Sequence, residues 1–266
     1  INAIVSANSN NSSGQCSAGS IGMDTIVLQK SSIHSFTASN NTIEGRNALP
    51  SITSAITIEG NGATIRRNSI SATDFRLFHV APTGNLTLNK VTLSGGIASA
   101  HGLGDRGGAL FNQGSVTLNN STVSGNSATA FGGGLANSHL PALEYVMTLN
   151  NSTVSDNSAG ASGGGLSSTA NIRLTDSTLS GNSAPSGGGL EIYMQHATLS
   201  HCTVSGNRAT YGGGLFSKYG IITLNDSTVS GNSVTERGGG LANYKSITLN
   251  SSTVSDNYAL HSGGGL

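Results

Sequence analysis

Apolar and polar residues alternate along this chain in short bursts. Ile247-Thr248-Leu249 alternates, and Ser252-Thr253-Val254 resumes the alternation after a polar corner. A period of two marks a half-buried strand. A third short stretch opens after a glycine run, at Leu241-Ala242-Asn243. The whole unit then recurs. VTLNNSTVSGNSATAFGGGL at 116–135 returns as MTLNNSTVSDNSAGASGGGL, IRLTDSTLSGNSAPSGGGL, ATLSHCTVSGNRATYGGGL, ITLNDSTVSGNSVTERGGGL and ITLNSSTVSDNYALHSGGGL. The apolar residue of the TVS triplet falls at Val123, Val154, Leu179, Val204, Val229 and Val254, in steps of 31, 25, 25, 25 and 25. The long step carries an insertion near residues 137–146.

A repeat of this length marks a solenoid. The leucine-rich pattern L-x-x-L-x-L is absent. No stretch between the strands can serve as a crossover helix, so the strands are expected to stack parallel, rung on rung, about 4.8 Å apart. The expected fold is all-β: a single parallel β-helix of about ten rungs, about 45–50 Å long from that spacing. Residues 1–85 are less regular, with strands expected at 24–28, 55–58 and 77–80; segments 86–88 and 90–93 begin the clear repeat. Ile1, Ile4 and Val5 stand at helical spacing, which predicts a short helix capping the first rung. The chain therefore divides into a cap with irregular first rungs (1–85) and regular repeats (86–266), continuous as one domain.

Two polar features recur with the repeat. Asn126, Asn157, Asn182, Asn207, Asn232 and Asn257 share one rung position. Stacked amides there can donate to one neighbouring rung and accept from the other, forming a ladder at an inward corner. The residue before each is Gly or Asp, which predicts a positive-φ turn. The GGG runs mark another corner or strand entry, where a Cβ would strike the next rung.

Composition narrows the function. Charged residues are only 9% and formal net charge is +0, so no basic excess exists to neutralise a phosphate backbone, and nucleic acid is not an expected partner. No apolar run is long enough for a membrane-spanning helix. Two cysteines, Cys16 and Cys202, are too few for a disulfide framework or a zinc cluster. Cys202 stands where sister rungs carry Ser152, Ser177, Ser227 and Ser252, so it reads as a small packed residue.

The best chemical constellation is a column. Three residues before each TVS apolar position stand Asn120, Asn151, Asp176, His201, Asp226 and Ser251. Stacking aligns Asp176, His201 and Asp226, a row able to bind a divalent metal or poise an acid–base pair. The plainer reading, with no fourth ligand evident, is a solvated corner where His201 merely relieves two carboxylates. No cofactor is expected. Phe131, Tyr211, Phe216, Tyr219 and Tyr244 can form a sugar-stacking face or simply pack loops.

These residues resemble the right-handed parallel β-helix repeats of bacterial surface proteins. The repeat is similar to that of polymorphic outer membrane proteins, marked by FxxN and GGA[ILV]. Gly107-Gly108-Ala109-Leu110 matches the second tetrapeptide, and Val123-Ser124-Gly125-Asn126 resembles the first with Val for Phe. The N-terminal INAIVSANSN, Cys16, DTIVL and SITSAITIEGNGATIRR are similar to secreted proteins that carry a Cys-Ser-Leu-Arg-Glu-Ala motif before their β-helix. The resemblance implies right-handed winding, a secreted or cell-surface location and a partner cysteine for Cys16 upstream of Ile1. Two functions stay open. One is a non-catalytic structural or adhesive rod, assembling head to tail as a filament or sheath subunit. The other is a carbohydrate-active enzyme of the polysaccharide lyase or hydrolase type, or a module binding surface glycans.

Overall fold

The computed structural model describes residues 1–99, 102–138 and 146–266. The chain winds as a parallel β-solenoid of about eight turns. Each turn contributes short strands to three long parallel sheets. The first sheet carries Ser115–Asn119, Val146–Asn150, Asn171–Thr175, His196–Ser200, Ile221–Asn225 and Ser246–Asn250. The second carries the TVS strands, from Thr122–Ser124 to Thr253–Ser255. The third runs from Phe78–Val80 to Leu241–Asn243. In two early turns the first two sheets are joined by long bent strands, Ala55–Arg67 and Asn85–Ser94. The bulk of the insertion near 137–146 falls at 139–145, outside the described residues.

Register corrects the rung count. Paired residues step by 32 (Met23 to Ala55), 30 (Ala55 to Asn85), 30 (Asn85 to Ser115) and 31 (Val116 to Met147) before settling at 25. The early turns keep the same strands but carry longer connections, so ten rungs of 25 residues overcounts. Eight steps of about 4.8 Å give an axial length of about 38 Å, shorter than the sequence suggested.

Apolar side chains fill the coil in stacks. Val123, Val154, Leu179, Val204 and Val229 are fully buried in register, and Val254 packs against them half-buried. Leu110, Leu135, Leu166, Leu190, Leu215 and Leu241 form the matching stack of the third sheet. Helix Asn2–Ser9 lies at the other end and contacts the first strands. It buries Ile4, Ser6 and Ala7, whereas Ile1 and Val5 stay largely exposed.

The Asn ladder sits at a buried corner, as its spacing predicts. Asn157 Nδ2 donates to Asn182 Oδ1 at 3.0 Å and to Val123 O at 3.0 Å, and the Asn157 backbone N–H donates to the same Oδ1 at 3.0 Å. The pattern repeats through Asn182, Asn207 and Asn232. Residues before the ladder have positive φ, including Gly181 at 65° and Asp156 at 55°. One glycine run shows what crowds each of its positions. Gly187 has φ 61°; a Cβ on Gly188 would sit 2.5 Å from Gly213 O; one on Gly189 would sit 2.6 Å from Gly214 O and 3.2 Å from Asn207 Nδ2.

A second ladder went unrecognised in the sequence. The Ser121 N–H donates to Ser152 Oγ and that of Ser152 to Ser177 Oγ, both at 3.1 Å. Cys202 occupies the next rung; its N–H donates to Ser227 Oγ at 3.0 Å and its thiol faces Ser200 O at 3.3 Å. Both thiols are free. Burial pushes the Cys202 thiol up, with backbone hydrogen bonding at Ser177 and Ser200 opposing the shift. Nucleophilic thiolate is therefore scarce at Cys202. In a timed Ellman titration of native protein, half-buried Cys16 should react first, and Cys202 only after denaturant is added. Equal rates would contradict the burial assigned to Cys202.

Candidate functional site

The Asp176–His201–Asp226 column comes together as expected. His201 Nδ1 lies 3.7 Å from Asp176 Oδ1, and Nε2 lies 3.9 Å from Asp226 Oδ2. All three side chains are about 60% exposed, at 63%, 62% and 59%. Backbone geometry explains the residue types. Asn120, Asn151, Asp176, His201, Asp226 and Ser251 all have φ between 46° and 53°. Asn, Asp and His are the side chains that tolerate this left-handed conformation best. The column is thus a solvated corner that joins the first two sheets. Among the described residues no set of three or more His, Cys, Asp or Glu groups could hold a metal ion.

A second constellation lies on the outer face of the third sheet. The residue after each closing Leu points outward, and register aligns His79, Phe111, Ala136, Ser167, Glu191, Phe216 and Ala242. Large members flank the small Ala136 and Ser167, and that step in size opens a cavity of about 240 Å³. Its lining includes Arg106, Phe111, Phe131, Glu191 and Tyr193, with Ala136 and Ser167 among the small residues.

Glu191 is the polar centre of this cavity and is only 6% exposed. Oε2 accepts hydrogen bonds from the Ser162 hydroxyl at 2.6 Å and the Ser167 hydroxyl at 2.8 Å. Two neutral donors on one oxygen fix the carboxylate's orientation and offset part of its desolvation. Cations stand beside two of the aromatic walls: the Arg106 guanidinium carbon lies 5.1 Å from the Phe131 centroid, and Lys218 Nζ lies 5.2 Å from that of Tyr193. Tyr193 also meets Tyr219 edge-on at 5.3 Å, and Phe216 meets Tyr244 edge-on at 5.8 Å. Of the candidate aromatics, Phe131 lines this cavity, while Tyr211, Phe216 and Tyr244 line another recess farther along.

Behind Phe111 the column turns polar. Arg76 is fully buried, its guanidinium 5.1 Å from the Phe111 centroid, with Nη2 donating to Glu44 O and Leu103 O at 2.8 and 2.9 Å. Burial lowers its pKa to about 10, so it remains charged at neutral pH. His79 is 1% exposed and sits between Ser51 Oγ (2.9 Å) and Gln113 Oε1 (3.1 Å). Burial pushes its pKa below the ordinary value and Arg76 adds to the shift, while the Gln113 hydrogen bond opposes it. The folded pKa is depressed, so the unfolded chain binds this proton more readily. The stability linked to His79 is complete above about pH 6.5 and is lost as pH falls through the folded pKa. Thermal melts from about pH 7 to pH 5 should show a decline that His79→Gln reduces. An identical decline in the variant would remove His79 from the account.

The signal for Glu191 was present in the sequence. GGGL is followed by Ala136, Ser167, Glu191, Phe216 and Ala242, and Glu191 is the one acidic member. The loops that bring Arg106 and Tyr193 to it had no such marker. No family model, curated protein or solved structure matches this chain.

Proposed function

We propose that this chain is a non-catalytic structural and adhesive rod of an extracellular or cell-surface structure. The observation that carries this reading is the continuous amide ladder. It starts where the Gly96 N–H donates to Asn126 Oδ1 at 2.9 Å and runs from rung to rung to Asn257. Polar residues that other folds place in a reactive site here bond along the axis and stiffen it. The repeats also favour assembly: the regular rungs offer donors, acceptors and apolar stacks in a pattern that another copy can extend. Low charge leaves little long-range repulsion against such stacking.

The test has two parts. Antibody labelling of intact source cells should find the chain at the surface, and light scattering over a concentration series should show growing linear species. A chain confined to the cell interior would sink the reading. A second reading, a carbohydrate-active enzyme, is favoured by buried Glu191 alone. Hydrolysis by paired carboxylates needs a second one within about 5–9.5 Å, and among the described residues Glu191 is the one acid in the lining of this cavity. Release of reducing ends or unsaturated products from a polysaccharide panel would establish that second reading instead.

A further inference from the structure

We propose that the cavity between Phe111 and Glu191 binds a single neutral hexopyranose ring, presented at the end or branch of a surface glycan. This inference rests on the adhesive reading above and supplies its ligand.

Size sets the first limit. About 240 Å³ is smaller than the range of roughly 300–1,000 Å³ typical of drug-sized ligands, so the cavity takes one ring and not a chain. Its shape follows from the register, since Ala136 and Ser167 are the small members of a column that is bulky at Phe111 and Phe216.

Chemistry sets the second limit. Glu191 Oε2 is already engaged by Ser162 and Ser167, and no bond among the described residues engages Oε1. The cavity therefore offers a fixed acceptor to a hydroxyl donor. A purely apolar guest would cover that oxygen without giving it a partner, which is penalised. An anionic guest would meet the carboxylate. A quaternary ammonium would be repelled by the Arg106 and Lys218 charges that stand beside Phe131 and Tyr193. What remains is a neutral guest with hydroxyls on its rim and C–H groups on its faces. A pyranose has both: hydroxyls to reach Glu191, and polarised C–H groups to rest against aromatic walls. Arg106 and Ser138 line the same cavity and supply polar contacts for other ring hydroxyls.

The probes are the methyl glycosides of glucose, galactose and mannose, tested by saturation-transfer NMR and calorimetry on the full chain. At least one should bind with a dissociation constant near about 1 mM, as expected of a single small ring. Glu191→Gln should weaken that binding about tenfold or more, because charge-assisted acceptance is lost while shape is kept. Tyr193→Ala, at the rim, should weaken it without affecting the fold. His201→Asn, at the distant corner, should leave it unchanged. The glycoside lacking the hydroxyl that faces Glu191, identified from a deoxy series, should bind least. The site would be refuted if no glycoside bound at about 10 mM, if Glu191→Gln bound as well as wild type, or if tetramethylammonium displaced the sugar. Such a failure leaves surface labelling and linear assembly untouched, so it is distinguishable from failure of the structural reading. Product release from a polysaccharide would overturn the non-catalytic reading and leave the sugar site in place.

Discussion

Val204→Asp should unfold the middle of the rod, and the damage should depend on pH. Val204 is fully buried between Leu179 and Val229, with which it pairs in register. Removing the side chain forfeits about 1.5–3 kcal/mol of apolar burial. The introduced carboxyl meets only aliphatic neighbours in its stack, and burying it charged costs several kcal/mol more. It will take up a proton instead, which raises its folded pKa. A raised folded pKa stabilises below the unfolded value, about 3.9, and that contribution is lost as pH rises through the folded pKa. The variant should thus be least stable at neutral pH and recover partly in acid, whereas Val204→Asn should be destabilised without that dependence. The total loss at pH 7 should exceed about 4 kcal/mol, among the largest single-site effects. Because each rung contacts only its neighbours, hydrogen exchange should accelerate around residues 179–229 first. A soluble variant melting at the wild-type temperature at pH 7 would show that Val204 does not face the core.

The repeats made most of the fold readable, because a solenoid writes each long-range contact as a local period. Val154 and Leu179 could be paired by counting, and so could Asn157 and Asn182, without any knowledge of loops. Counting failed where the period changed. The pair Val91 and Ser121 belongs to the same ladder as Ser152 and Ser177, yet its spacing is set by a longer connection. Ile33–Phe36 was missed because its burial alternates only weakly at the capped end of the coil. The Asp176–His201–Asp226 column was placed correctly but its cause was not visible. A positive φ selects Asn, Asp and His for backbone reasons, and a sequence shows the residue types without the angle. Glu191 was overlooked for the opposite reason. Its significance lies in its register neighbour Ser167 together with Ser162, which sits in a different column and meets it only across neighbouring turns. Period-based reading compares like positions, so it does not see contacts between unlike ones.

Asn207→Leu should be nearly as damaging as the core charge, although it replaces a polar residue by an apolar one of similar size at a fully buried position. Asn207 Oδ1 accepts from the Asn182 backbone N–H at 2.9 Å and from Asn182 Nδ2 at 3.0 Å. Its own Nδ2 donates to Leu179 O at 3.0 Å and to Asn232 Oδ1 at 2.9 Å. Leucine replaces none of these. Asn232 Oδ1 keeps the Asn207 backbone N–H at 2.9 Å, so its loss is partial. The Asn182 N–H and the Leu179 carbonyl lose these partners inside a corner that excludes water. Each buried group left unsatisfied costs about 1–3 kcal/mol, giving roughly 2–6 kcal/mol for the two. Close packing adds to this: the corner is tight enough that a Cβ on Gly189 would stand 3.2 Å from Asn207 Nδ2, so a branched side chain in place of the planar amide must displace its neighbours. The same substitution at Asn257, which is only half-buried, should cost far less, since water can reach the released groups. Paired denaturant melts of the two variants provide the check. Equal losses at Asn207 and Asn257 would mean that side-chain volume, not the hydrogen-bonded column, sets the stability of this corner.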